Sequence, residues 1–210
     1  MPTPIPEVRP AYAGGSILNL VTSVARHFGV PSDHAPFTAP LPLEGVDSVV
    51  LLVIDGLEHG QLQQTLAAGT LPHFARLMEE GQFITATSVF PSATMAALTT
   101  LHTARAPGEH GYLGLSTWLP EVQQSVNMIF LHDVVDERPL ADTAFLGAVP
   151  SLYTQLAQLG VACTVVMPAA FEHSVLTRWC CAGASYVGYE FQSAVASLTA
   201  EAANGSGPGM

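Results

Sequence analysis

The chain has 210 residues, 49% of them apolar and 11% charged, which fits one compact globular unit and excludes a disordered or low-complexity chain. Asp and Glu outnumber Lys and Arg by 17 to 6, for a net charge of -11, so binding of nucleic acid through a basic face and docking on an anionic membrane are excluded. Any phosphate ester bound by such a chain has to be held by metal ions or helix N-termini rather than by basic side chains.

Residues 1–15 are rich in Pro and Gly and read as an extended lead, without the basic stretch and apolar run of a secretory signal. An amphipathic helix is expected over 17–28, stopped by Gly29 and Pro31, followed by a loop rich in Pro and Ala over 31–46. Six consecutive apolar residues, 49–54, are then closed by Asp55 and Gly56. An uninterrupted apolar run bounded by turn residues is the pattern of a central parallel strand, and it puts Asp55 at the strand's C-terminal end. A helix over 71–80 ends on Gly81, and 83–90 reads as a further strand.

The alternation continues with a helix over 93–103, a strand in SVNMIFL (125–131), a helix in PSLYTQLAQLG (150–160), a strand in VACTVVMP (161–168) and a last helix over 191–203. Such an order predicts an α/β fold, a mostly parallel sheet with helices on both faces, in which ligands collect at the C-terminal ends of the strands. The chain divides into a lead with a short helix, 1–46, and an α/β portion, 47–210, whose tail AANGSGPGM reads as turn-prone and cut short.

Cys163, Cys180 and Cys181 contain no C-x-x-C pair, so neither a disulfide framework nor a thiolate zinc site is expected; Cys180 and Cys181 beside Trp179 read as core packing. No segment reaches the roughly 18 uninterrupted apolar residues of a membrane helix. A reducing, cytoplasmic setting is the expectation.

Three features carry chemistry. Asp55 ends a buried-type strand, Thr94 opens a helix after a Phe-Pro turn, and His110-Gly111 follows in the loop beyond that helix. A strand-end carboxylate is a hard oxygen ligand for a divalent metal, and a Thr hydroxyl is a weak nucleophile until a metal lowers its pKa. A helix N-terminus adds backbone N–H groups and a positive dipole end to stabilise a transferring phosphoryl group. On local grounds alone, Asp55 fits a capping Asp-Gly turn and Thr94 a capping or backbone-bonded hydroxyl equally well. Ser92 is the expected N-cap, leaving Thr94 free in the first turn, while Thr99, Thr100 and Thr103 are expected to bond back to the helix backbone. His110 reads as a structural turn residue. His59, His73, His102 and His132 read as surface or satisfied core residues, and Asp133, Asp136 and Glu137 as a solvated loop.

The segments VVLLVIDGL and FPSATMAALTTLHTARAPGEHG together resemble the alkaline phosphatase superfamily, within it the nucleotide pyrophosphatase/phosphodiesterase branch. The resemblance runs from about Ser48 to Gly114 and continues more weakly through STWLPEVQQSVNMIFLHDV. It implies an alkaline phosphatase-like fold of which 47–210 is the N-terminal portion, Asp55 as a zinc ligand, and Thr94 as a zinc-bound nucleophile. The implied reaction is attack of Thr94 on a phosphodiester or pyrophosphate, a covalent phosphothreonine and its hydrolysis, with two zinc ions in the complete site. The implied partner is a small phosphate ester or nucleotide.

The chain departs from the family pattern at Thr103-Ala104, where Thr-Gly is usual, and at Leu115, where an Asn commonly grips a phosphate oxygen. The family's other zinc ligands, an Asp/His pair, an Asp-His-Gly and a final His, find no match, so only Asp55 and Thr94 are expected from its ligand set. Two other outcomes stay open: hydrolysis of phosphomonoesters, phosphonates or sulfate esters by the same superfamily chemistry, and a non-catalytic fragment lacking the second half of the metal site.

Overall fold

A computed structural model of the chain describes residues 8–140 and 149–204; the tail from 205 onward and the first seven positions of the lead lie outside the described residues. The elements are α1 (Ile17–His27), α2 (His59–Ala67), α3 (Pro72–Glu80), α4 (Thr94–Thr103), the single turn α5 (Pro107–His110), β1 (Ser116–Leu119), β2 (Gln124–Asn127), β3 (His132–Asp133), α6 (Leu152–Gln158), β4 (Thr164–Pro168), α7 (Val175–Cys180), β5 (Ser185–Tyr189) and α8 (Val195–Ala203). Among the described residues no helix is long and apolar enough to cross a membrane.

The chain is α/β, but the described residues do not assemble the expected mostly parallel sheet. They form two small sheets: β4 and β5 pair in parallel, and β1, β2 and β3 form an antiparallel meander. Connection length decides which. Pro120, Glu121, Val122 and Gln123 join β1 to β2, and a link that short permits only antiparallel pairing, whereas α7 lies between β4 and β5 and provides the crossover a parallel pair needs.

The run 49–54, read as a central strand, carries no ladder, and Val50, Leu52 and Ile54 are 59%, 62% and 47% exposed. Its composition records a strand covered on both faces, but none of the described segments pairs with it. The strand expected over 83–90 is reduced to a single parallel bridge between Ser16 and Thr87. Neither α2 nor α3 has a buried residue.

The core lies elsewhere, and α4 belongs to all of it. Leu101 and Ala104 pack with Val21, Ala25 and Val30 from α1 and its loop and with Leu152 and Leu156 of α6. Ala96 packs with Leu18 and Val89, and Met95 leans on the cluster built by Tyr112, Met128, Leu131, Leu176 and Cys180. The lead is tied in by the buried Asn19. Its side-chain oxygen accepts from the Ser16 N–H at 3.0 Å, and its amide donates to the Tyr12 and Ala35 carbonyls, both at 2.8 Å. Gly183, at φ +91, lets α6 approach the turn after α7, since a Cβ there would stand 2.6 Å from the Thr154 nitrogen.

The buried side chains of Thr100, His102 and Thr103 in α4 find polar partners as burial requires. The Thr103 hydroxyl donates to the Thr99 carbonyl at 2.7 Å, as expected, but Thr100 meets His110 Nε2 at 3.2 Å instead of the helix backbone. The Tyr112 N–H donates to His110 Nδ1 at 3.0 Å, which fixes the neutral tautomer with its hydrogen on Nε2. His110 is thus the structural histidine the sequence suggests. Burial pushes its pKa down from 6.5 to about 4, against the opposing pull of the Ala96 carbonyl and the Glu109 carboxylate.

Two predictions follow from this packing. The unfolded chain binds a proton at His110 below about pH 6.5 that the folded chain refuses until about pH 4, so stability falls as pH drops through that window. In urea titrations between these pH values, the acid-side slope should be shallower by up to one proton in His110→Gln than in the unsubstituted chain. Ala104 caps α4 in the left-handed region at φ 53 and ψ 36. There a Cβ costs about 1 kcal/mol, close to the roughly 0.8 kcal/mol that burial of one methyl contributes. Thermal melts should therefore find Ala104→Gly near neutral, while Ala96→Gly, inside the same helix, should cost about 1 kcal/mol or more.

Candidate functional site

Asp55 follows the apolar run and turns the chain at Gly56, which adopts φ 76. The turn is held by the carboxylate itself: Asp55 Oδ1 accepts the Gly56 N–H at 2.9 Å. This is the local Asp-Gly chemistry expected of such a pair. It occupies one carboxylate oxygen and leaves the other pointing elsewhere.

Thr94 is the first residue of α4. The N-cap is Ala93, at φ -73 and ψ 147, and not Ser92 as the sequence suggests. Neither Ser92 nor Thr94 donates to or accepts from the helix backbone as a cap, and both side chains are exposed. The first helical bond runs from the Ala97 N–H to the Ala93 carbonyl at 3.0 Å. The N–H groups of Thr94, Met95 and Ala96 therefore have no acceptor within the helix, the arrangement that makes a helix start favourable to anions. The preceding Phe90-Pro91 peptide bond is cis.

The two residues meet. The Thr94 hydroxyl donates to Asp55 Oδ2 at 3.0 Å, across 39 positions of sequence, with both side chains open to solvent. One carboxylate oxygen, one hydroxyl and the free end of a helix thus share a solvent-facing spot. Leu115, the position at which the resemblance leads one to expect an Asn, is 54% exposed and takes part in structure through its carbonyl, which accepts from the Met128 N–H at 2.8 Å. Its side chain has no hydrogen to donate to a phosphate oxygen.

As a metal site the pair is incomplete. Asp55 and Thr94 supply two oxygens, fewer than the three or four protein ligands a zinc ion takes. Among the described residues, Asp55 belongs to no group of three or more His, Cys, Asp or Glu of metal-binding dimensions. The residues present fit part of one ion's shell and do not fit two ions. The group of that size among the described residues is a different one, His102 with Cys180 and Cys181. No spaced motif announces it, because His102 lies on α4 and the cysteines at the end of α7.

No curated protein and no solved structure matches the chain. The family model for type I phosphodiesterase / nucleotide pyrophosphatase matches residues 49–198, a span that holds Asp55, Thr94 and His110. On that match over most of its length, the chain belongs to the type I phosphodiesterase / nucleotide pyrophosphatase family.

Proposed function

We propose that the chain serves hydrolysis of phosphodiester or pyrophosphate bonds in small phosphate esters or nucleotides, with Thr94 as the nucleophile. The observation that carries this reading is the hydrogen bond between Thr94 and Asp55 Oδ2 at 3.0 Å, which joins the two family motifs in space. Accepting the hydroxyl hydrogen, Asp55 turns the lone pairs of Thr94 Oγ1 outward, toward a phosphorus placed over the helix start. The unpaired N–H groups of the first turn of α4 favour the negative phosphoryl oxygens there. In a chain of net charge -11, they offer positive potential beside Thr94 without a basic side chain.

A zinc ion held by Asp55 and Thr94 would lower the hydroxyl pKa and offset phosphoryl charge. The two-oxygen donor set favours a second reading as well. In that reading the 210-residue chain presents the nucleophile but turns over only when further ligands reach Asp55 from outside the described residues. The exposed apolar side chain of Leu115 keeps a third substrate range open, phosphomonoesters, phosphonates or sulfate esters, since the usual oxygen grip is replaced. The family's implied fold gives residues 49–54 the place of a strand in a larger parallel sheet, and the three free cysteines suit a reducing, cytoplasmic setting.

Substitution separates these readings. With a chromogenic phosphodiester and added zinc, the chain should hydrolyse substrate. Thr94→Ala should lower the rate by at least about a thousandfold, as loss of a covalent nucleophile does, and Thr94→Ser should retain part of it. Acid quench should trap phosphate on Thr94. Equal rates in Thr94→Ala and the unsubstituted chain would remove Thr94 from the reaction. No turnover together with zinc-dependent binding of a diester analogue, lost in Asp55→Asn, would select the non-catalytic reading. A panel of diester, monoester and sulfate ester with one leaving group sets the substrate class.

A further inference from the structure

The core between α4 and α7 contains a second group of metal-ligating side chains. A ring nitrogen of His102, Cys180 Sγ and Cys181 Sγ all lie within 4.8 Å of one another. The three residues are 9%, 4% and 7% exposed. Both cysteines are free thiols and belong to the same apolar cluster as Tyr112, Met128 and Leu131.

We propose that His102, Cys180 and Cys181 form a buried site for a divalent thiophilic ion, zinc first among them, separate from Asp55 and Thr94. Three observations support it. The two sulfurs are 3.8 Å apart. Two thiolates at about 2.3 Å from one zinc and at the tetrahedral angle are also about 3.8 Å apart, so the pair already has the span of a shared ion. The separation is far from the roughly 2.0 Å of a disulfide bond. Second, His102 Nδ1 is hydrogen-bonded to the Tyr153 hydroxyl at 2.8 Å. A hydroxyl on one ring nitrogen is the kind of outer partner that fixes the orientation of a metal-ligating imidazole; in the tautomer that donates from Nδ1, Nε2 is left with the lone pair for the ion. Third, the charges cancel. Two thiolates and a neutral imidazole around a divalent cation sum to zero, the condition under which such a group can sit in an apolar interior. A monovalent ion would leave one negative charge buried.

Three protein ligands leave one corner of the tetrahedron for a small ligand. Adjacent cysteines at the end of α7 and a histidine in the last turn of α4 would be fastened together by the ion. The helix that begins at Thr94 would then be anchored at its far end.

Cobalt(II) reports on this directly, because thiolate ligands give it an intense near-ultraviolet charge-transfer band that oxygen ligands do not. Titrating cobalt into the reduced, metal-stripped full chain should produce that band, saturating at one ion per chain. It should persist in Asp55→Asn and in Cys163→Ala, and it should disappear in Cys181→Ser. Absence of the band while thiol titration shows the cysteines reduced would overturn the proposal, as would its survival in Cys181→Ser or its loss in Asp55→Asn. A second measurement leaves the cysteines untouched, in case a buried substitution unfolds the chain. X-ray absorption of zinc-loaded Asp55→Asn should show two sulfur neighbours at about 2.3 Å; a shell of oxygen and nitrogen alone overturns the site.

Discussion

The structure around the candidate site depends on one constraint: α4 is buried from its second turn onward and carries polar side chains into that burial. Thr100, His102 and Thr103 are each no more than 9% exposed. A buried donor or acceptor without a partner costs about 1–3 kcal/mol, so α4 can take only a rotation and depth at which these groups are satisfied. His110 answers Thr100, Tyr153 answers His102, and the Thr99 carbonyl answers Thr103. The helix is thereby set in register against α5 and α6. The direction in which its first residue points is a consequence. Thr94 lies outside the buried stretch and owes its orientation to polar contacts made up to nine residues away along the same rigid rod.

This also explains why so many hydroxyls crowd one helix. Thr is a poor helix interior residue on propensity, and the sequence could only suggest that such side chains bond back to the backbone. Thr103 does. Thr100 instead binds His110 of α5, which makes that histidine a support for the helix that begins at Thr94. The same geometry gives the Thr103-Ala104 departure a physical meaning: the position is left-handed, where Gly is the unstrained choice.

What the sequence could and could not disclose follows the range of the interactions involved. Helices with strong periodicity or clear stops, such as α1, α3, α4 and α6, are legible because their determinants lie within one or two turns. The pairing of Asp55 with Thr94 was legible through two local motifs, each recognisable without the other. Of the meander, β2 overlaps the strand expected over 125–131, whereas β1 and β3 were missed because they are short and half-exposed, so their composition lacks the apolar run that marks a covered strand. The run 49–54 failed in the opposite way. Its composition is that of a covered strand, but composition names an environment and not the neighbour that supplies it. The histidine and cysteine cluster was invisible for a related reason: His102 and Cys180 converge only through the packing of α4 on α7, and no spacing along the chain encodes that.

The two halves of the candidate site are therefore held unequally. Thr94 stands on a helix fixed by three clusters of core contacts. Asp55 stands at the end of an exposed run, with α2 and α3 beyond it contributing no buried residue. The contacts that steady this side are polar or partial: the bond from Thr94, the Asp-Gly turn, and His59 stacked on Phe83 with its ring nitrogen 3.3 Å from Thr85. Exposed contacts of this kind confer little rigidity, whereas catalysis asks that reacting groups be held to within about 0.5 Å. Covering the apolar side chains of 49–54 with a neighbouring strand would bury them and fix the carboxylate in the same step, because Asp55 is the next residue along the chain. Strand burial and carboxylate placement are one requirement here, and the helix that begins at Thr94 already meets its own share of it.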